Sequence, residues 1–205
     1  MDGTETPAYR LISDPLSKIL VFFLLAGILI LGSAIFAGFY LFRKKSFRTE
    51  QAFVTIYIIL CLVSFLAIPV FNTPDEDHHF YRIYELSQGH LISDKQVTTE
   101  NGQEEFANTA LYAPPSYLPQ IIGVKIADIL TDSPLFMAYL GRLMNTVTFG
   151  LLVFFAIRLS PFGKNLIAIT ALLPMSIQAA NSLSADGLAI GIVLLFVAYI
   201  LYLKY

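Results

Sequence analysis

The residues in this chain best equipped for chemistry stand together in Pro74-Asp75-Glu76-Asp77-His78-His79-Phe80, directly after a long apolar run. Pro74 before the acids and Gly89 after them predict a helix over about 75–89, with Gly89 as its C-cap. On that helix Asp75 and His79 are four residues apart, Glu76 and His79 three, and Arg82 three further on, so all four share a face. Asp77 and His78 point elsewhere. Such a set admits three readings. A carboxylate acts as general base on an acceptor hydroxyl while cationic groups hold a phosphate leaving group. Glu76-x-x-His79 supplies metal ligands, although carboxylate centres of this kind need a second such pair, and outside the His78-His79 pair His90 is the only histidine. Or the acids simply begin a solvated helix, favoured by its dipole.

Other polar residues lie near that cluster in the expected topology. Arg142 sits a few residues inside a later apolar run, with Asn145 about one turn on. Asp186 lies in Ser182-Leu183-Ser184-Ala185-Asp186-Gly187, approached by Gln178, Asn181 and Ser182. Ionisable groups at such depth face a cavity or pair with each other. An Arg142–Asp186 ion pair is the plain explanation; a shared polar pocket with Asp75 and His79 is the functional one.

The elements that must position these groups are read from hydropathy. Of the 205 residues 56% are hydrophobic and only 14% charged, against roughly 25% charged in soluble domains. The expectation is an all-α polytopic integral membrane protein with about five transmembrane helices plus external amphipathic helices. The spans run from Leu16 to Phe42, about 52–70, about 135–159, about 166–183 and 188–203, each near the roughly 20 residues a bilayer requires. The first is too long, and Asp2 and Glu5 too acidic, for a cleaved leader. Arg43, Lys44, Lys45 and Arg48 place that connection in the cytoplasm, which puts the N-terminus and the acidic cluster outside and the C-terminus inside. Residues 1–51 form a tail, an extra span and a basic loop; 52–205 form the main membrane domain, with an external segment at 72–134. Within it 92–110 read as a loop, and Ser116–Leu130 as an amphipathic helix lying, like 75–89, at the interface. Net charge of −2 gives no reason to expect nucleic acid. The lone Cys61 forms no internal disulfide and reads as a small buried hydrophobe.

Several blocks together carry a resemblance: Pro74-Asp75-Glu76-x-x-His79-Phe80-x-Arg82-x-Tyr84 with Gly89; Tyr112-x-Pro114-Pro115-x-Tyr117-x-Pro119-Gln120; Gly141-Arg142-x-x-Asn145; Leu173-Pro174-Met175; and Ser182-x-Ser184-Ala185-Asp186-Gly187. In this order, over about 52–203, they resemble a family of bacterial polytopic membrane proteins known as domain of unknown function 2142. That family is in turn similar to the GT-C glycosyltransferases. The resemblance implies the N-terminal half of a GT-C-like fold, incomplete at its C-terminus, in the bacterial plasma membrane. It also implies sugar transfer from a polyprenyl-phosphate carrier to a cell-envelope glycan or polymer, with membrane lipid as surroundings and a divalent metal in some relatives. The alternative is a non-catalytic subunit or transporter-like protein of the same biogenesis. By the same carry-over Asp75 is the base, with Glu76 and His79 beside it. Arg82, Tyr112, Tyr117, Arg142, Asn145, Gln178 and Asp186 are the substrate-binding set, and Arg142 or Arg82 holds the phosphate.

Overall fold

A computed structural model of the chain describes residues 28, 32, 48–92, 96–98, 104–106 and 112–205. Two compact units divide it, Met1–Phe47 and Arg48–Tyr205. The expected first span and its basic connection, 16–45, lie outside the described residues apart from positions 28 and 32.

The second unit is helical. Its elements are α1 (Thr49–Ala67), α2 (Glu76–Ser87), strands β1 (Gln96–Thr98) and β2 (Glu104–Phe106), a 3₁₀ turn (Pro114–Tyr117), α3 (Leu118–Leu130), α4 (Pro134–Leu159), α5 (Lys164–Ala171), α6 (Pro174–Ala180) and α7 (Asp186–Lys204). Among the described residues α1, α4 and α7 are long and apolar enough to cross a membrane, with mean hydropathies of 2.0, 1.7 and 2.2. The chain is a polytopic membrane protein.

The three long helices pack side by side. Tyr57 of α1 donates to the Thr146 carbonyl at 2.8 Å and stacks on Phe53 and Phe149. At one end Thr49 donates to Asn165 and Lys164 pairs with Glu50; at the other the carbonyls after α1 meet Arg142. α1 therefore runs antiparallel to α4. α7 runs parallel to α4, because Gly187 meets Asn145, Gly191 meets Leu152, and Tyr205 meets Phe162 beyond the end of α4. Gly187 is needed where it stands: a Cβ there would lie 2.8 Å from the Ala179 carbonyl. The core between the helices is rich in alanine (Ala156, Ala168, Ala171, Ala180 and Ala198), and small side chains let helix backbones approach closely in lipid. The outward faces stay apolar: Leu143, Val147, Leu151 and Phe155 form an exposed stripe on α4 at four-residue spacing, as a lipid-facing helix surface requires.

The segment expected as the fourth span is two short helices. Pro174 has no N–H to give the Thr170 carbonyl. The Ser176 hydroxyl donates to that carbonyl at 2.9 Å instead, so the break at 172–173 leaves it satisfied. Neither α5 nor α6 is long enough to cross a bilayer by itself.

The segment between α1 and α4 differs in part from expectation. Residues 96–98 and 104–106, read as loop, form a short antiparallel ladder with Val97 opposite Glu105; three residues per strand are too few to show a period. α2 ends with N–H bonds from Gly89 to Leu86 and from His90 to Glu85, the paired closure of a helix through a left-handed glycine. α3 folds back on α4 as an antiparallel hairpin. Gly123 sits so near the α4 backbone that a Cβ would come 2.5 Å from the Leu140 carbonyl. Its far face exposes Leu118, Ile122, Ile126 and Ile129.

Candidate functional site

The turn from α1 into α2 decides which acid faces inward. Pro69 and Pro74 prevent the helix from continuing, and two non-glycine residues, Phe71 and Asp75, take left-handed backbone at φ 65° and 56°. Bulky residues rarely adopt that conformation, and they hold it only where the surroundings enforce it. Here the Phe71 N–H donates to Glu76 Oε2 at 2.9 Å. As a result Asp75 faces solvent and Glu76 is buried, 1% exposed.

Glu76 meets Arg142 in the interior. Arg142 Nε donates to Oε1 at 2.6 Å, and Nη2 makes a short contact with Oε2. Arg142 also donates to the Ile68 carbonyl at 2.9 Å and the Pro69 carbonyl at 3.0 Å, closing the end of α1. Glu76 Oε1 further accepts the Leu183 N–H at 3.2 Å. The partner of Arg142 is thus Glu76 and not Asp186. A buried ion pair persists when its remaining donors and acceptors are also satisfied, and this one binds the α1 end, α2, α4 and the segment before α7 into one latch.

Asn145, one turn along α4, extends the latch. Its Nδ2 lies 3.1, 2.9 and 3.3 Å from the carbonyls of Ala179, Ser182 and Ser184, and Gln120 Nε2 of α3 donates to the same Ser184 carbonyl at 3.0 Å. The Ser184 hydroxyl accepts the Asp186 N–H at 3.1 Å, so the serine-rich motif shapes the entry to α7. Gln178 lies half-buried on α6, and among the described residues its side chain has no hydrogen bond to this group.

Beside the latch, on the same face of α2, lies a second cluster. His79 Nδ1 is 2.7 Å from the Tyr117 hydroxyl, and the His79, Tyr112 and Tyr117 rings meet at 5.7–6.1 Å. Burial pushes the His79 basicity below the ordinary 6.5, while the carboxylates of Asp186, Asp75 and Glu76 pull it back up. Burial also raises the Tyr117 phenol, and Asp186 adds to that effect. The phenol therefore stays protonated; when it donates to Nδ1, the imidazole proton sits on Nε2. Asp75 and Asp186 are both solvent-exposed while His79 and Tyr117 are buried, so this cluster reaches the surface through its two carboxylates, where the latch is closed. Arg82 is buried behind it, donating to the Leu91 carbonyl at 2.7 Å and to Glu85 at 3.3 Å. Its Nε has no partner among the described residues.

Among the described residues no three histidine, cysteine or acidic side chains gather as a metal centre requires. In the Glu76-x-x-His79 pair, Glu76 is engaged by Arg142 and His79 by Tyr117, so these two residues do not fit a metal. Asp77 and His78 stand apart, with Nε2 3.8 Å from Oδ2.

Sequence reasoning named most of the latch by side chain but missed what closes it. The carbonyls of Ile68 and Pro69 and the N–H groups of Phe71 and Leu183 carry no residue-type signal. Gln120 stood in a quoted block without a role, and the left-handed backbone at Phe71 gave no warning in its sequence.

Residues 97–204 match a family model described as "Predicted membrane protein (DUF2142)". The match takes in Tyr112–Gln120, Arg142, Asn145 and Ser182–Gly187, and begins after Pro74–His79. No curated protein and no solved structure matches the chain.

Proposed function

This chain belongs to the DUF2142 family of predicted membrane proteins, and we propose that it is a glycosyltransferase-like protein of the plasma membrane. On this reading it moves a sugar from a polyprenyl-phosphate carrier to a cell-envelope glycan or polymer at the outer face, with its N-terminus outside. The observation that carries the reading is the cluster in which buried His79 and Tyr117 stand near solvent-exposed Asp75 and Asp186, beside the latch at one end of the bundle. Transfer of a sugar from a phosphate needs a base for the acceptor hydroxyl, an orienting group, and positive charge for the leaving phosphate.

Asp75 is the base. It takes the proton as the acceptor oxygen bonds to the anomeric carbon and the carbon–oxygen bond to the carrier phosphate breaks, leaving the electron pair on the phosphate. His79, held by Tyr117, and Asp186 orient the acceptor. Of the two arginines, Arg142 has its guanidinium engaged by Glu76 and two carbonyls. Among the described residues Arg82 Nε has no partner, which favours it for the phosphate. Glu76, Arg142 and Asn145 position these groups without touching substrate.

Transfer of labelled sugar from a polyprenyl-phosphate donor in proteoliposomes tests this. Asp75→Asn is expected to abolish incorporation while leaving insertion and thermal stability unchanged; undiminished transfer sinks the enzyme reading. The second reading, a non-catalytic subunit of envelope polysaccharide biogenesis, draws on the closure of the latch. It expects a partner in pull-downs and normal polymer levels with Asp75→Asn.

A further inference from the structure

On the opposite face of α2 from His79, Phe80, Tyr81 and Tyr84 meet Phe71 from the preceding turn, and Asp132, Pro134 and Met137 from the start of α4. With Asp77 they line an open cleft of about 330 Å³, at the lower end of the size of small-molecule sites. The rings are set around Phe80. Phe71 stands edge-on at 5.4 Å and 75°, Tyr81 at 6.2 Å and 62°, and Tyr84 lies nearly parallel at 6.4 Å. Phe71, Tyr81 and Tyr84 are exposed at 42, 58 and 40%. Phe71 holds its left-handed backbone through its bond to Glu76, so the buried latch also fixes one wall of the cleft.

The lining chemistry is one-sided. Among the described residues it offers aromatic faces, a thioether and two carboxylates, with no lysine, arginine or side-chain amide and no side-chain donor except the phenols. A phosphate would be repelled, and a neutral sugar would find acceptors but few donors. An alkylammonium group meets both of its preferred partners, ring faces and carboxylates. We propose that this cleft binds a soluble small molecule through an organic ammonium head.

Choline is the probe, titrated by calorimetry into the full chain in nanodiscs of phosphatidylglycerol, a lipid with no amine, with empty discs as the control. Saturable binding is expected, weakened about tenfold by Tyr84→Ala and by Asp132→Asn; both positions are exposed, and unchanged thermal melts would verify their folding. Asp75→Asn is expected to leave choline binding intact, so this assignment and the glycosyltransferase reading fail separately. Absence of choline heat would return the rings to an interfacial aromatic belt and overturn the site. So would binding indifferent to both variants, or glucose binding in place of choline. Phosphatidylcholine in the discs should leave the choline heat unchanged; suppression would overturn the soluble ligand in favour of a lipid headgroup.

Discussion

Asp75 and Glu76 are adjacent acids with opposite surroundings, and each belongs to a different kind of site. Glu76 lies in a buried latch where both charged groups are paired: Arg142 meets Glu76 and two carbonyls, and Glu76 also accepts two N–H groups. Asp75 opens onto solvent with Asp186, near a histidine whose basicity burial lowers against the pull of nearby carboxylates. The contrast teaches that charge in a membrane protein is not one signal. A fully paired charge fixes geometry, and a partly paired one remains available for chemistry.

The sharpest way to break the comparison is at the latch. Glu76→Gln leaves the Arg142 charge buried without its counter-ion and is expected to cost about 3–5 kcal/mol; thermal unfolding in detergent would register it. Replacing both residues together, Glu76→Leu with Arg142→Met, should recover much of that loss, because no lone charge remains. A Glu76→Gln protein as stable as the native one would place Glu76 with the open cluster instead.

The open cluster should respond differently. Tyr117→Phe is expected to cost only about 1 kcal/mol of stability and to shift the pH profile of sugar transfer, since it removes the hydroxyl that holds His79. The sign follows from burial. His79 binds its proton less readily folded than unfolded, so its contribution to stability is present above the ordinary 6.5 and is lost as pH falls through the folded value. Melting temperature and transfer should both decline in that window, and the Tyr117→Phe profile should differ from the native one. Identical profiles would detach His79 from the chemistry.

The smallest effect is expected at the far end of the bundle. Lys164 and Glu50 pair at 2.9 Å, but the lysine is 36% exposed. Lys164→Ala should cost no more than about 1 kcal/mol; a larger loss in the same unfolding assay would mean that paired charges at both ends matter alike.

Much of the helical architecture was legible in sequence. The apolar runs announced α1, α4 and α7, because a bilayer fixes both length and hydropathy. Pro74 and Gly89 marked the limits of α2, and its apolar pattern marked α3. The split of the fourth run at Pro174 was written in one residue, yet run length alone hides it. The short strands at 96–98 and 104–106 were below the length at which alternation can be read.

The candidate site was legible as a list and not as an arrangement. Spacing put Glu76, His79 and Arg82 on one face of a helix, and α2 has that face. It did not distinguish Asp75 from Glu76, since the distinction lies in a left-handed turn at Phe71 and Asp75. Nor did it find the partner of Arg142, 66 residues away from Glu76 in sequence.

The sequence by itself determined which segments are helical and apolar and which residue types could titrate, because helix period and hydropathy are local properties. Only the tertiary structure decided which charge pairs with which, which acid is dry and which faces solvent. Those outcomes depend on desolvation and on backbone groups brought together from α1, α2, α4 and the entry to α7, and no local pattern records them.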